Sequence, residues 1–174
     1  MATPDVTVMG AGIFGLSCAW AMARRGARVR VIDPSGPGAG ASGGLVGALS
    51  PHIPENWNPK KQFQLESLLM AGAWWEAVEA AGGTSAGYMK SGRIQPLADE
   101  TAVALARKRA VSAATHWLGR AEWHVTNMPE TTLSLQSQTG LCVIDTLTAR
   151  ISPRRAIASL VAALKAMQAE ISAD

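Results

Sequence analysis

Three glycines carry the first chemical signal in this chain. Gly10, Gly12 and Gly15 stand in a Gly-x-Gly-x-x-Gly spacing within "VMGAGIFGL", directly after an apolar run. At a strand-to-helix junction this spacing suits the phosphates of a dinucleotide. Gly10 permits a tight turn, Gly12 leaves no side chain in the way of a diphosphate, and Gly15 lets the helix pack closely on the strand. The helix N-terminus presents free N–H groups and positive partial charge to the phosphates. Ala11, Ile13 and Phe14 fill the turn between the glycines. Asp33 closes the next apolar run, where a carboxylate can accept hydrogen bonds from ribose hydroxyls and repel a 2′-phosphate. The motif reads the ADP half of a dinucleotide, disfavours NADP and leaves FAD and NAD open.

The elements that must hold these residues follow from periodicity. Residues 5–9, "DVTVM", are short and β-branched and predict a buried parallel strand. Residues 12–25 predict a small-sided helix with Leu16, Ala19, Trp20 and Ala23 in its pattern, closed by Gly26. Residues 27–33, "ARVRVID", predict a second strand, completing a βαβ unit. A helix over 60–81 carries Phe63, Leu68, Leu69, Trp75 and Val78 on one side and ends at Gly82-Gly83. Residues 91–99 predict a strand. A helix over 101–118 carries Leu105, Val111, Ala114, Trp117 and Leu118, and strands follow in 121–126 and 140–146. The last helix has Ser152 as N-cap and Pro153 at its first position, with Ile157, Leu160, Val161, Leu164 and Met167 at helical spacing. Residues 169–172 begin something strand-like.

Between the second strand and the second helix lies the long segment 34–56, rich in glycine, proline and serine. It exceeds an ordinary connection, and its low charge and embedded apolar residues argue for a functional loop rather than plain disorder. Within it, "GASGGLVGALSPHIPE" following "VIDPSGPGAG" resembles the glycine oxidase and D-amino acid oxidase family of FAD-dependent amine oxidoreductases. The resemblance implies that the small pair Ala41 and Ser42 lies near the phosphate and ribityl side of FAD. It implies too that Gly47, Ala48 and Leu49 pass close to the isoalloxazine ring. Small residues would let the backbone approach the cofactor, and Ser42 can donate to a phosphate. Looser similarity runs through "FQLESLLMAGAWWEAVE", "YMKSGRIQPL" and "ISPRRAIASLVAALKAMQAEI".

The expected architecture is thus α/β. A Rossmann-like FAD/NAD(P)-binding βαβ domain carries part of an inserted α+β substrate lobe. The expected division is 1–82 for the βαβ unit, flavin loop and following helix, 83–150 for the partial lobe, and 151–174 for the returning helix. The resemblance implies an oxidoreductase that oxidises a C–N bond of glycine, a D-amino acid or a sarcosine-like secondary amine, by hydride transfer to flavin. Family members are much longer. The fold is therefore expected to be truncated, an N-terminal portion lacking the third strand of the flavin sheet and the residues that hold a substrate carboxylate. A partner chain or a homo-oligomer would complete it. The alternative is a non-catalytic nucleotide-binding fragment or subunit.

Other features narrow the field. A net charge of +3 with scattered basic residues gives no electrostatic footprint for nucleic acid, so a small-molecule amine or amino acid is the expected partner. No apolar run is long enough to span a bilayer, and the N-terminus lacks the basic region of a signal peptide, which predicts a cytoplasmic protein. Cys18 and Cys142 are expected to be reduced thiols packed in the core. Neither they nor His52, His116 and His124 have metal-ligand spacing. Hydride transfer to flavin needs no protein acid or base, and none is assigned. His52 reads as a structural residue, and Trp74 and Trp75 as packing.

Overall fold

The structure, a computed structural model, describes residues 3–130 and 135–173. In chain order the elements are β1 (Val6–Met9), α1 (Ile13–Ala23), β2 (Val29–Ile32), a 3₁₀ turn (Ala41–Gly43), β3 (Gly47–Leu49) and α2 (Pro59–Gly82). Then come β4 (Arg93–Pro96), α3 (Glu100–Trp117), β5 (Trp123–Asn127), β6 (Leu141–Asp145), β7 (Ala149–Ile151), α4 (Pro153–Ala166) and β8 (Glu170–Ser172). The chain divides into two compact units. One comprises Met1–Gly47, Gly72–Tyr88 and Arg150–Asp174; the other comprises Ala48–Ala71 and Met89–Ala149. Residues 48–71 thus group with the later strands rather than with the βαβ unit.

The first unit is built on a parallel sheet in the order β1-β2-β8. Val6 pairs with Val29 and Val8 with Val31, while Val31 pairs with Ile171. The strand-like segment at 169–172 is therefore a third strand of this sheet, hydrogen-bonded to β2. This corrects the expectation that the third strand would come from a later part of the fold. Three residues, one exposed and two half-buried, are too short to show a strand period in sequence. Helices α1 and α4 supply the core over one face of the sheet. Leu16, Ala19, Trp20 and Ala23 are buried on α1, Ile157, Leu160, Ala163 and Leu164 on α4, and Val29 and Val31 on β2. Val161 is only half-buried and Met167 lies beyond the helix, exposed. Pro153 opens α4 as predicted, but the Ser152 side chain makes no capping hydrogen bond.

The second unit carries an antiparallel sheet in the order β4-β6-β5. Its core gathers Leu65, Leu97, Val103, Ala106, Ala113, Trp117, Trp123, Val143 and Leu147. Trp117 and Trp123 meet edge to face, with centroids 6.2 Å apart. The Asp99 carboxylate caps α3 by accepting from the Ala102 N–H at 2.7 Å. The buried face of α3 is Val103, Ala106, Ala113 and Trp117. Of the residues expected there only Trp117 is buried; Leu105, Val111, Ala114 and Leu118 face outward. Small alanines allow the helix to approach β5 closely, so the most hydrophobic stripe is not the packed one. On α2, Phe63 is likewise 76% exposed while Leu65 is buried. Asp145, fully buried, accepts from Arg93 Nε at 2.9 Å and from the Thr148 N–H at 2.8 Å.

Residues 50–57 are strapped down within this unit. Lys61 Nζ donates to the carbonyls of Ile53, at 2.8 Å, and Glu55. The Glu55 carboxylate pairs with Arg109 at 2.8 Å, which holds its pKa below the usual carboxylate range. The His52 N–H donates to Gln64 Oε1 at 2.6 Å, and Trp57 stacks on His116 with centroids 4.4 Å apart. Cys142 is buried, and burial raises its thiol pKa, but Cys18 is exposed on α1, against the expectation that both are core thiols. Among the described residues, no helix is long and apolar enough to cross a membrane and no cluster of side chains could hold a metal.

Candidate dinucleotide site

The glycine turn sits where the motif places it, between the carboxyl end of β1 and the start of α1. Gly10 has φ +101°, a conformation that side chains strongly disfavour, and its N–H donates to the Ile32 carbonyl at 2.7 Å. Gly15 faces the turn so closely that an added Cβ would lie 1.9 Å from the Gly10 carbonyl oxygen and 3.4 Å from Val8 Cγ1. It is a contact glycine between helix and strand. Gly12 is the N-cap of α1 in extended backbone that any residue can adopt, and a Cβ there would meet only Ser42 Oγ, at 3.3 Å. Its missing side chain therefore leaves a cradle over the helix N-terminus. The first turn of α1 carries no acidic side chain that would compete for those N–H groups.

Asp33 and Ser42 close on this turn from two directions. Asp33 Oδ2 accepts from the Ala11 N–H at 2.8 Å, and Oδ1 accepts from the Ser35 N–H at 2.9 Å. These backbone donors, Ala11 foremost, hold the carboxyl below its usual range and keep it anionic. Each oxygen retains a lone pair for a further donor such as a ribose hydroxyl. The Asp33 N–H donates to the Ser172 carbonyl at 3.1 Å, so β8 also fixes this residue. Ser42, brought by the 3₁₀ turn, accepts from the Ile13 N–H at 3.0 Å, capping α1 from outside the helix and leaving its own O–H proton for an acceptor. The structure thus brings Gly10, Ala11, Gly12, Ile13, Gly15, Asp33 and Ser42 together. Ala11 is buried, while Phe14 is 86% exposed and turned away from the core.

Next to Ser42 is a cleft of about 410 Å³, lined by Gly38, Gly40, Ser42, Gly43, Arg154 and Ile157. Two of the loop glycines are required by the loop's own packing. A Cβ on Gly43 would lie 2.6 Å from the Gly38 carbonyl oxygen, and one on Gly47 would lie 2.9 Å from Ile151 Cγ2. Gly47 is thus small because β7 crosses it, a reason independent of any cofactor. Ala41 and Ala48 are exposed, and Gly47 and Leu49 are half-buried. Exposed Leu45 and Val46 separate the 3₁₀ turn from β3. Arg154 is the residue that sequence reasoning missed. Its Nε donates to the Gly43 carbonyl at 2.9 Å. One signal was available: Arg154 and Arg155 stand in the first turn of α4, where a cation opposes the helix dipole. A larger cleft, about 710 Å³, lies among Pro4, Val29, Arg30, Met167 and Glu170 at the amino ends of β2 and β8. Ligands of doubly wound sheets bind at the opposite, carboxyl ends.

This arrangement of parallel strand, glycine turn, helix and strand-end carboxylate is that of a dinucleotide-binding α/β fold. Residues 5–174 match the model of the FAD dependent oxidoreductase family, DAO, and the chain belongs to that family. The family is FAD-dependent, and its members are enzymes. Among curated proteins, the tRNA 5-methylaminomethyl-2-thiouridine biosynthesis bifunctional protein MnmC of Chromohalobacter salexigens is 42% identical over 74 residues. The match spans 42% of this chain and 11% of that protein. Among solved structures, glycine oxidase from Geobacillus kaustophilus superposes with a TM-score of 0.75 at 20% identity, over 97% of this chain and 46% of its own. The L-amino acid deaminase from Proteus myxofaciens, in complex with anthranilate, superposes at 0.79 with 18% identity, over 99% and 39%. The fold is therefore that of the amino acid oxidases, and the chain spans less than half the length of the proteins it matches.

Proposed function

We propose that this chain holds the ADP half of FAD at its glycine turn, as the nucleotide-binding portion of an oxidoreductase acting on a C–N bond. The convergence of the Gly12 cradle, Ser42 Oγ and the anionic Asp33 on one helix N-terminus carries the reading. In it, the N–H groups at the start of α1 and the Ser42 hydroxyl take the diphosphate. Asp33 takes the ribose hydroxyls, and Ala41 lies at the entrance to the same loop. Gly47, Ala48 and Leu49 form the wall nearest the isoalloxazine ring. When bound, the flavin supplies a hydride acceptor, and the protein's part is orientation and electrostatics. No described residue of this chain is assigned a proton-transfer role. The proteins it resembles are named for glycine, for an amino acid and for a methylaminomethyl group, all with an amine next to an oxidisable carbon.

The substrate class is accordingly an amine, either a free amino acid or a secondary amine. The similarity to the tRNA-modifying relative widens the expectation of a purely small-molecule partner to include an aminomethyl group carried on tRNA. The two free thiols suit a reducing, cytoplasmic setting. The binding test uses the full chain titrated separately with FAD, ADP and FMN, followed by visible flavin absorption and calorimetry. FAD and ADP should bind and compete, and FMN, which lacks the ADP half, should not displace ADP. A chain that binds FMN as well as FAD, or binds neither FAD nor ADP, would refute the reading.

A further inference from the structure

We infer that Arg154 is a positioning residue for the dinucleotide diphosphate, acting through Ser42. The inference rests on the reading that the ADP half of FAD sits at the glycine turn. Arg154 Nε–H donates to the Gly43 carbonyl at 2.9 Å, across 111 residues of sequence. That carbonyl belongs to the 3₁₀ turn Ala41–Gly43, and the preceding residue, Ser42, accepts the Ile13 N–H at 3.0 Å. One continuous path therefore runs from the guanidinium through a backbone carbonyl to the hydroxyl over the start of α1. Among the described residues, the side-chain hydrogen bonds of this turn are those from Arg154 to Gly43 and from Ile13 to Ser42. It caps itself only through the Gly43 N–H to the Gly40 carbonyl at 3.0 Å, and the close approach of Gly43 to Gly38 fixes its inner side. A hydrogen bond from a charged donor is worth more than a neutral one.

Charge adds to the effect. Arg154 lines the same cleft as Ser42, and none of the described ion pairs includes it. Its neighbour Arg155 is engaged elsewhere, donating to the Ser85 carbonyl at 3.2 Å. Arg154 also lies in the first turn of α4, where its charge is disfavoured by the helix dipole unless an anion offsets it. The unused guanidinium N–H groups and the Ser42 O–H thus bound one cleft suited to a dianionic diphosphate. Ile157 closes the apolar side.

The test compares the full wild-type chain with Arg154→Met, Arg154→Lys, Ser42→Ala and the Arg154→Met/Ser42→Ala double variant. Two readouts are taken: hydrogen exchange of the Ile13 amide by NMR, and affinity for ADP and for FAD. In Arg154→Met the Ile13 amide should exchange about tenfold faster, as expected for loss of one charged hydrogen bond, and ADP and FAD should bind about tenfold more weakly. Arg154→Lys should recover part of both. For Ile13 exchange the double variant should be no worse than Ser42→Ala, because Arg154 reaches that amide through Ser42; its ADP affinity should fall further, by the charge the guanidinium lends the cleft. Wild-type exchange and wild-type ADP affinity in Arg154→Met, or fully additive exchange effects in the double variant, would overturn the inference. A wild-type chain that binds neither ADP nor FAD would instead overturn the underlying reading. The Ile13 exchange would still report whether the Arg154 path exists.

Discussion

Replacing Gly15 and Gly12 by alanine should break two different things. At Gly15 the new methyl would lie 1.9 Å from the Gly10 carbonyl oxygen and 3.0 Å from its carbon, both backbone atoms of the turn. Restoring even a 3.0 Å contact to the oxygen needs an opening of about 1.1 Å between α1 and β1. Forcing such a displacement into a packed interface costs about 1–3 kcal/mol and occasionally more. We place Gly15→Ala at about 3 kcal/mol, which for a chain of this size lowers the melting temperature by roughly 6–12 °C. Gly12→Ala meets only the Ser42 side chain, at 3.3 Å, and adopts an ordinary backbone conformation. It should cost under about 1 kcal/mol in stability, while its methyl stands in the phosphate cradle and weakens FAD binding on the order of a hundredfold. Urea unfolding and FAD titration of both variants check this. A Gly15→Ala chain as stable as wild type would refute the contact reasoning, and a Gly12→Ala chain with wild-type FAD affinity would refute the cradle.

Two further outcomes follow from charges in the fold. Arg28 holds the Asp5 carboxyl down at about 2, chiefly through their side-chain hydrogen bond, and Asp33 and Glu55 are also lowered. Groups whose folded pKa is depressed give stability that is present above the unfolded value and lost as pH falls through the folded one. Thermal stability should therefore decline between about pH 4 and pH 2, and Asp5→Asn should flatten that decline; an unchanged profile in Asp5→Asn would exclude the pair as a contributor. In the second unit, Arg93→Met leaves the fully buried Asp145 carboxylate with the Thr148 N–H as its remaining partner, at a cost of about 3 kcal/mol by urea unfolding. Wild-type stability in that variant would show that the Arg93 contact does not support the buried Asp145 side chain.

The βαβ unit was legible because each of its signals is local. The glycine spacing, the buried stripe from Leu16 to Ala23 and the aspartate at the strand end all lie within one short stretch, and periodicity reports them directly. The rest of the site was not, because its reasons are long-range. Nothing near Gly47 says that Ile151 crosses it, and nothing near Gly43 says that Arg154 reaches its carbonyl. The third strand was similarly hidden, since Glu170–Ser172 earns its place by pairing with β2 rather than by its own composition. On α3 the sequence misled. Leu105 and Val111 outrank Ala106 and Ala113 in hydrophobicity, yet close approach to the sheet selects the alanines. Phe63 on α2 shows the same limit: its size marked it for the core, and the helix turns Leu65 inward instead.

The hydrogen bond from the Asp33 N–H to the Ser172 carbonyl has a consequence for the order of synthesis. The carboxylate that would read a ribose is translated some 140 residues before the strand that steadies it. Until Glu170–Ser172 emerges, the flank of "VRVI" that will face it is an open edge, apolar and β-branched at alternate positions. Such an edge is a template for pairing with another chain. Arg28 and Arg30, bracketing and interrupting that strand, put positive charge along it, the kind of guard that keeps nascent edges from joining one another. Arg30 later pairs with Glu170 at 3.2 Å, so the charge that protects the waiting strand also helps to receive its neighbour.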